Sequence, residues 1–162
     1  MIGIMSDSHD NLPAIRAAVE YFNKKKVSLV LHAGDIISPF CVSELSKLRC
    51  KTKCVYGNND GERRVLAEKL AAIGAEAEEF MVFAHEGANI CLYHGTHEEI
   101  VSALAESGRY DAVVRGHSHH PSVERKKDTL IINPGELCGY LTGKRTVALL
   151  DAKDHSAQIH EI

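Results

Sequence analysis

No stretch of this chain approaches the ~20 uninterrupted apolar residues that a membrane-spanning helix requires, so a soluble protein is expected. The N-terminal MIGIMSDSHD has no basic region before its apolar segment and no small-residue cleavage site after it. A secretory signal is therefore not expected. A basic surplus is lacking too: 19 Lys and Arg stand against 22 Asp and Glu, for a net charge of −3. That balance argues against general affinity for nucleic-acid backbone or an anionic membrane, both of which need a basic footprint. The five cysteines, Cys41, Cys50, Cys54, Cys91 and Cys138, form no even framework of pairs, and a reducing cytoplasm is the expected compartment. Only Cys50 and Cys54 have a spacing found in zinc loops. No second Cys/His pair follows at finger-like distance, so buried thiols are expected there. Tryptophan is missing altogether, whereas histidine occurs ten times, with His94, His97, His117, His119 and His120 close together.

What is present suits one domain spanning residues 1–162, with 44% hydrophobic and 25% charged residues. The opening IGIM predicts a buried strand that empties into a polar loop. Asn11 then caps a helix to about Lys25, with Pro13 in its first turn and Ile15, Val19 and Phe22 on one face. VSLVLHA is a second strand ending at Gly34-Asp35. A helix from Ser38-Pro39 is expected to turn Phe40, Val42, Leu45 and Leu48 inward, and TKCVY is a third strand ending at Gly57. This β-α-β-α-β order builds a parallel sheet whose ligands collect at the carboxyl ends of the strands.

A helix over about Glu62–Ile73, a hairpin in FMVFAHEGANICLYH with its turn at Glu86-Gly87, and a helix over Glu98–Glu106 follow. DAVVR then delivers Gly116-His117. The runs VERK, TLIIN, TVALLD and AQIHEI make the second half mostly β. The fold class is α/β, with two packed sheets and helices on the outer faces.

Repeatedly, an apolar strand ends in Asp, His or Asn beside glycine: Asp7-Ser8-His9, Gly34-Asp35, Gly57-Asn58-Asn59-Asp60, His94-Gly95 and Gly116-His117-Ser118-His119. Any one such dipeptide is usually a turn. Their recurrence at successive strand exits is what points to a metal centre built from Asp7, His9, Asp35, Asn58, His94, His117 and His119. In Asp7-x-His9 and His117-x-His119 the spacing would put both side chains on one side of an extended segment. Imidazole, carboxylate and amide oxygen without thiolate suit Mn, Fe, Zn, Ni or Co better than Ca or Mg. Seven donors exceed one tetrahedral site, and two cations sharing a carboxylate account for the surplus.

These five segments resemble the calcineurin-like metallophosphoesterases, whose pattern is D-x-H, G-D, G-N-H-D/E, H and G-H-x-H. Within that family the chain looks closest to the small, cap-free archaeal and bacterial phosphodiesterase branch, which also has the N-P-G of Asn133-Pro134-Gly135-Glu136. The resemblance implies a four-layer αββα sandwich with two mixed sheets flanked by helices. It implies one metal on Asp7, His9, Asp35 and His119, and another on Asp35, Asn58, His94 and His117, with manganese the first choice and nickel, zinc, iron or cobalt as alternatives. The activity implied is hydrolysis of a small phosphodiester, a phosphomonoester or a cyclic nucleotide by a metal-bridging hydroxide.

The departure lies at Asn59, where the family usually carries a histidine that assists the leaving oxygen. Asparagine can donate a hydrogen bond but cannot release a proton at physiological pH, and His97 is the candidate substitute. Arg63, Arg64 and Arg115 are candidate phosphate contacts, with a plain surface role as the alternative. His32, His85, His155 and His160 are assigned structural or surface roles. The same branch resembles the retromer subunit Vps29, so a non-catalytic scaffold is the alternative function. A nucleic-acid substrate is disfavoured, and apolar residues around Cys138-Gly-Tyr140-Leu141 are a candidate surface for a homo-oligomer.

Overall fold

The computed structural model describes residues 1–162. The chain runs β1 (Ile2–Met5), α1 (Leu12–Lys25), β2 (Leu29–His32), α2 (Val42–Leu45), β3 (Lys51–Val55), α3 (Arg63–Ala72), β4 (Glu76–Glu78), β5 (Phe80–His85) and β6 (Ala88–Tyr93). It continues with α4 (Glu98–Glu106), β7 (Ala112–Val114), β8 (Ser122–Lys126), β9 (Thr129–Asn133), β10 (Thr146–Asp151) and β11 (Ser156–Glu161). The start of α1 follows from its cap: the Asn11 side chain accepts the Ala14 N–H at 3.2 Å, and Pro13 occupies the first turn, where no amide proton is missed. Lys24 and Lys25 lie in its last turn, where the helix dipole favours cations.

The strands form two mixed sheets, one ordered β11-β10-β1-β2-β3-β4 and the other β5-β6-β7-β9-β8. In the first, β1 through β4 are parallel and β10 returns antiparallel to β1. In the second, β6, β7 and β9 are parallel and are flanked by antiparallel β5 and β8. Side-chain alternation decides the layers. Ile2, Ile4, Leu29 and Leu31 join Ile90, Leu92, Val114 and Ile132 in the core between the sheets. Met5, Val30 and Cys54 instead meet Ile15, Val19, Phe22, Leu66 and Leu70 of the helices. On the far side Cys91 and Val113 pack against Val101 of α4. The result is the αββα order implied by the family resemblance. Gly3 belongs to this logic, because a Cβ there would come within 2.6 Å of the Phe22 ring.

Three local expectations are corrected. The segment after Ser38 is a 3-10 turn, Pro39–Cys41, followed by a single α turn in α2; Val42 and Leu45 are buried as expected, but Phe40 is 78% exposed. The short strand β4 has a polar sequence without an apolar alternation and was not expected; it extends the first sheet beside β3. Cys138 is buried rather than part of an exposed patch, while its neighbours Tyr140 and Leu141 are exposed. All five cysteines are free thiols. No helix is long and apolar enough to cross a membrane.

Candidate metal centre

The carboxyl ends of β1, β2 and β3 deliver Asp7-Ser8-His9, Asp35 and Asn58, and those of β6 and β7 deliver His94 and His117-Ser118-His119. Both sheets thus contribute to one place. The i, i+2 pairs do not arrive there on extended backbone. Asp7, His9, Asp35, His117 and His119 all adopt positive φ, between 41° and 68°, a left-handed conformation that non-glycine residues seldom occupy and that costs ~1–3 kcal/mol each. Such strain gathers where side-chain aim outweighs backbone comfort.

The contacts are close. The Asp7 Oδ1 atom lies 3.5 Å from His119 Nε2 and 4.0 Å from His9 Nε2. Asp35 Oδ2 lies 3.5 Å from His9 Nε2 and 3.6 Å from His94 Nε2. Asn58 Oδ1 is 3.0 Å from His94 Nε2 and 2.9 Å from His117 Nδ1. The rings of His9 and His119 stack at 5.3 Å.

Hydrogen-bond logic fixes what two of these atoms can do. His94 Nδ1 faces the Ala33 carbonyl at 2.7 Å, and a carbonyl only accepts, so Nδ1 carries the proton and Nε2 presents a lone pair. His119 Nδ1 faces the Glu136 carboxylate at 2.8 Å, which leaves His119 Nε2 equally bare. With the rings neutral, lone pairs at His94 Nε2 and His119 Nε2 meet carboxylate and amide oxygens with no proton between them, and buried Asp7 Oδ1 and His9 Nε2 have no hydrogen-bond partner. A cation resolves that conflict. Ligands ~2.1 Å from a tetrahedral ion sit about 3.4 Å apart, close to the separations here, and Asp7, Asp35 and His94 form one compact group of donors. The residues fit a divalent metal.

Burial and neighbouring charge act in opposite senses on the carboxylates. Burial pushes the Asp7 pKa up, a rise that Asp35 reinforces. Burial also pushes on Asp35, but the two Asn59 hydrogen bonds and nearby His94 and His9 outweigh it, and its pKa falls. His117 is lowered, first by burial and then by His94.

Several residues brace the site through bonds that the sequence did not show, although His32 is already assigned a structural or surface role. Asp60 accepts the backbone N–H groups of Gly57 at 2.7 Å, Asp35 at 3.0 Å and Ile37 at 2.7 Å, locking two ligand loops together. His32 is fully buried, with Nε2 3.0 Å from Ser8 Oγ and Nδ1 accepting the Gly34 N–H at 3.3 Å; burial pushes its pKa down to about 3. Asn133 donates to the Gly116 carbonyl and to Ser118 Oγ, both at 2.9 Å. Cys138 lies beside His9 and His119, but its thiol donates to Glu136 at 3.2 Å, and burial raises its pKa to about 12. Only the G-N-N-D motif and the N-P-G segment hinted at any of these.

The arginines are committed elsewhere. Arg63 binds the carbonyls of Asp60 and Gly57 at 2.9 Å and pairs with Glu79. Arg115 pairs with Glu98 and reaches the Gly95 carbonyl, and Arg64 pairs with Glu68 on the surface. His97 is exposed at the N-cap of α4 without a side-chain cap bond. His120 is held to the Ser118 carbonyl at 2.6 Å. Asn59 turns its amide onto Asp35 at 2.7 Å.

A two-sheet sandwich whose strand ends converge imidazole, carboxylate and amide donors on one spot is the arrangement of a metal-dependent phosphoesterase. Residues 1–155 match the calcineurin-like phosphoesterase superfamily domain, and the chain belongs to that family. It is 44% identical over 154 residues to a phosphodiesterase of Methanocaldococcus jannaschii, covering 94% of this chain and 93% of that protein. A solved archaeal phosphodiesterase superimposes with a TM-score of 0.96 at 40% identity, covering 99% of both chains. Vacuolar protein sorting 29 of Cryptosporidium parvum shares the fold, with a TM-score of 0.72 at 18% identity over 99% of this chain and 95% of that one.

Proposed function

We propose that this chain, acting as one domain over residues 1–162 in the cytoplasm, is a phosphodiesterase that hydrolyses small phosphodiesters with two divalent cations. The observation that carries the reading is the convergence of carboxylate, imidazole and amide donors on one spot where the buried Asp7 Oδ1 and His9 Nε2 have no hydrogen-bond partner. In this reading Asp7, His9, Asp35 and His119 would hold one ion, and Asn58, His94, His117 and Asp35 would hold the other. Manganese is the first choice and nickel, zinc, iron or cobalt are alternatives. Two divalent cations held there would supply Lewis-acid polarisation of phosphoryl oxygens and a lowered pKa for water.

The chain's own residues do the rest. The left-handed turns at Asp7, His9, Asp35, His117 and His119 aim the donors, and Asp60 keeps the two loops from drifting apart. Asn59 uses one amide proton on Asp35 and retains a second for the departing oxygen. His97 is the candidate proton donor beyond it. Asn58 and Asn59 are exposed at the mouth of the site, which suits a small or exposed phosphate ester better than one gripped by a deep pocket. Similarity to an archaeal phosphodiesterase supports diesters ahead of monoesters and cyclic nucleotides. Metal binding alone would not separate this reading from a scaffold resembling Vps29; turnover does.

The test compares bis-p-nitrophenyl phosphate with p-nitrophenyl phosphate on chelated protein reconstituted with Mn²⁺, Ni²⁺, Zn²⁺ or Mg²⁺. Metal-dependent cleavage favouring the diester, abolished by Asp35→Asn, is expected. Bound metal without turnover on any substrate would move the scaffold reading to the front.

A further inference from the structure

Glu136 follows the N-P-G segment and is fully buried. Its carboxylate is almost saturated. Oε2 accepts from His119 Nδ1 at 2.8 Å and from the Cys138 thiol at 3.2 Å. Oε1 accepts the backbone N–H groups of Leu141 at 2.9 Å and Thr142 at 2.5 Å, together with the Thr142 hydroxyl at 2.8 Å. Hydrogen bonds to a charged acceptor are roughly twice as strong as neutral ones, and this many donors offset the cost of burying the charge. Four of these five donors come from the loop after Glu136. The fifth is His119, from the loop between β7 and β8 of the same sheet.

We propose that Glu136 is the positioning residue that sets the tautomer and aim of His119, so that its Nε2 is offered bare to the cation held with Asp7. This rests on the metal-centre reading above. A carboxylate behind a ligating histidine fixes the ring, raises its basicity, and when removed typically costs 10–100-fold in metal affinity. Here the carboxylate cannot be replaced by its amide without a conflict. Glutamine has one oxygen and one NH₂ group. If its oxygen stays with Leu141 and Thr142, its NH₂ donates to His119 Nδ1 and drives the ring proton to Nε2, the nitrogen that the ion needs. If the amide is reversed, NH₂ confronts two backbone N–H groups.

The experiment has two readouts on Glu136→Gln, with circular dichroism confirming the fold. The first is the His119 tautomer in metal-free protein, read by long-range ¹H–¹⁵N correlation and assigned with His119→Ala. The wild type should show the Nδ1–H form, and Glu136→Gln should shift it toward Nε2–H. The second is Mn²⁺ affinity by chelator competition, which should weaken ~10–100-fold. In the His119→Ala background the Glu136 substitution should add no further loss. Unchanged affinity with the Nδ1–H form retained, or an equal loss without His119, would overturn the assignment while leaving the metal centre intact. A wild type that binds no metal would defeat the metal-centre reading instead, and the tautomer would still decide the role of Glu136. If Glu136→Gln does not fold, Glu136→Asp replaces it and should fall between the two.

Discussion

Asn59 holds Asp35 at both oxygens: its backbone N–H lies 2.9 Å from Oδ1 and its side-chain amide 2.7 Å from Oδ2. The residue that stands where the family carries a histidine is thus tied to the carboxylate assigned to both ions. General acid catalysis typically contributes ~10²–10⁴-fold, so its loss weighs most on poor leaving groups. Asn59→His is expected to raise kcat on alkyl phosphodiesters by at least ~10-fold while changing nitrophenyl esters little. A series of diesters with graded leaving-group pKa checks this. A gain that is uniform across the series would instead assign the effect to Asp35.

Removing metal should cost stability as well as activity. The donors come from both sheets, and a cation at 100 times its Kd contributes about 2.7 kcal/mol. For a chain of this size that corresponds to a Tm lowered by roughly 5–10 °C on chelation. Scanning calorimetry with and without EDTA measures it, and Asp35→Asn should show little further fall.

His32 gives the fold a dependence on pH. Burial lowers its folded pKa from 6.5 to about 3, so the unfolded chain takes up a proton that the folded one refuses. The contribution is complete above pH 6.5 and is lost progressively as pH falls toward 3. At 1.36 kcal/mol per unit, about 2 kcal/mol disappears between pH 6.5 and 5. Urea titrations of metal-free protein at those two pH values should show His32→Gln losing about that much less than the wild type.

Two glycines flanking the Asn58-Asn59-Asp60 segment should respond differently. A Cβ on Gly57 would lie 2.0 Å from Asp35 Oδ1 and 2.5 Å from its backbone nitrogen, whereas one on Gly61 meets nothing within 4 Å. Gly57→Ala is expected to displace Asp35 and abolish tight metal binding. Gly61→Ala should stay within about 0.5 kcal/mol of the wild type. Isothermal titration with Mn²⁺ distinguishes them.

The strand exits were legible because short apolar runs break abruptly into Gly, Asp, His and Asn, and parallel strands carry those residues to one end. Asn11 could be read as a cap for the same local reason. Phe40 misled because it lies in the 3-10 turn before α2, where the α-helical spacing that would group it with Val42 and Leu45 does not hold. β4 was hidden because Glu76-Ala77-Glu78 has no apolar alternation and depends on its neighbour β3. The bonds of Glu136, His32 and Asp60 escaped for a different reason. Their partners His119, Ser8 and Asp35 lie 17, 24 and 25 positions away, and sequence spacing carries no trace of a hydrogen bond made across a finished fold.

Asp7, His9 and Asp35 leave the ribosome well before His94, His117 and His119, and β10, which closes the first sheet beside β1, comes later still. A nascent chain therefore carries two mutually repelling carboxylates with most of their imidazole partners not yet made. The proposed metal centre draws donors from both sheets, so tight metal binding is expected only once both have docked. Metal retention would then report that the two halves of the chain have come together, and a chain lacking Glu136 and β10 would be expected to hold metal less tightly.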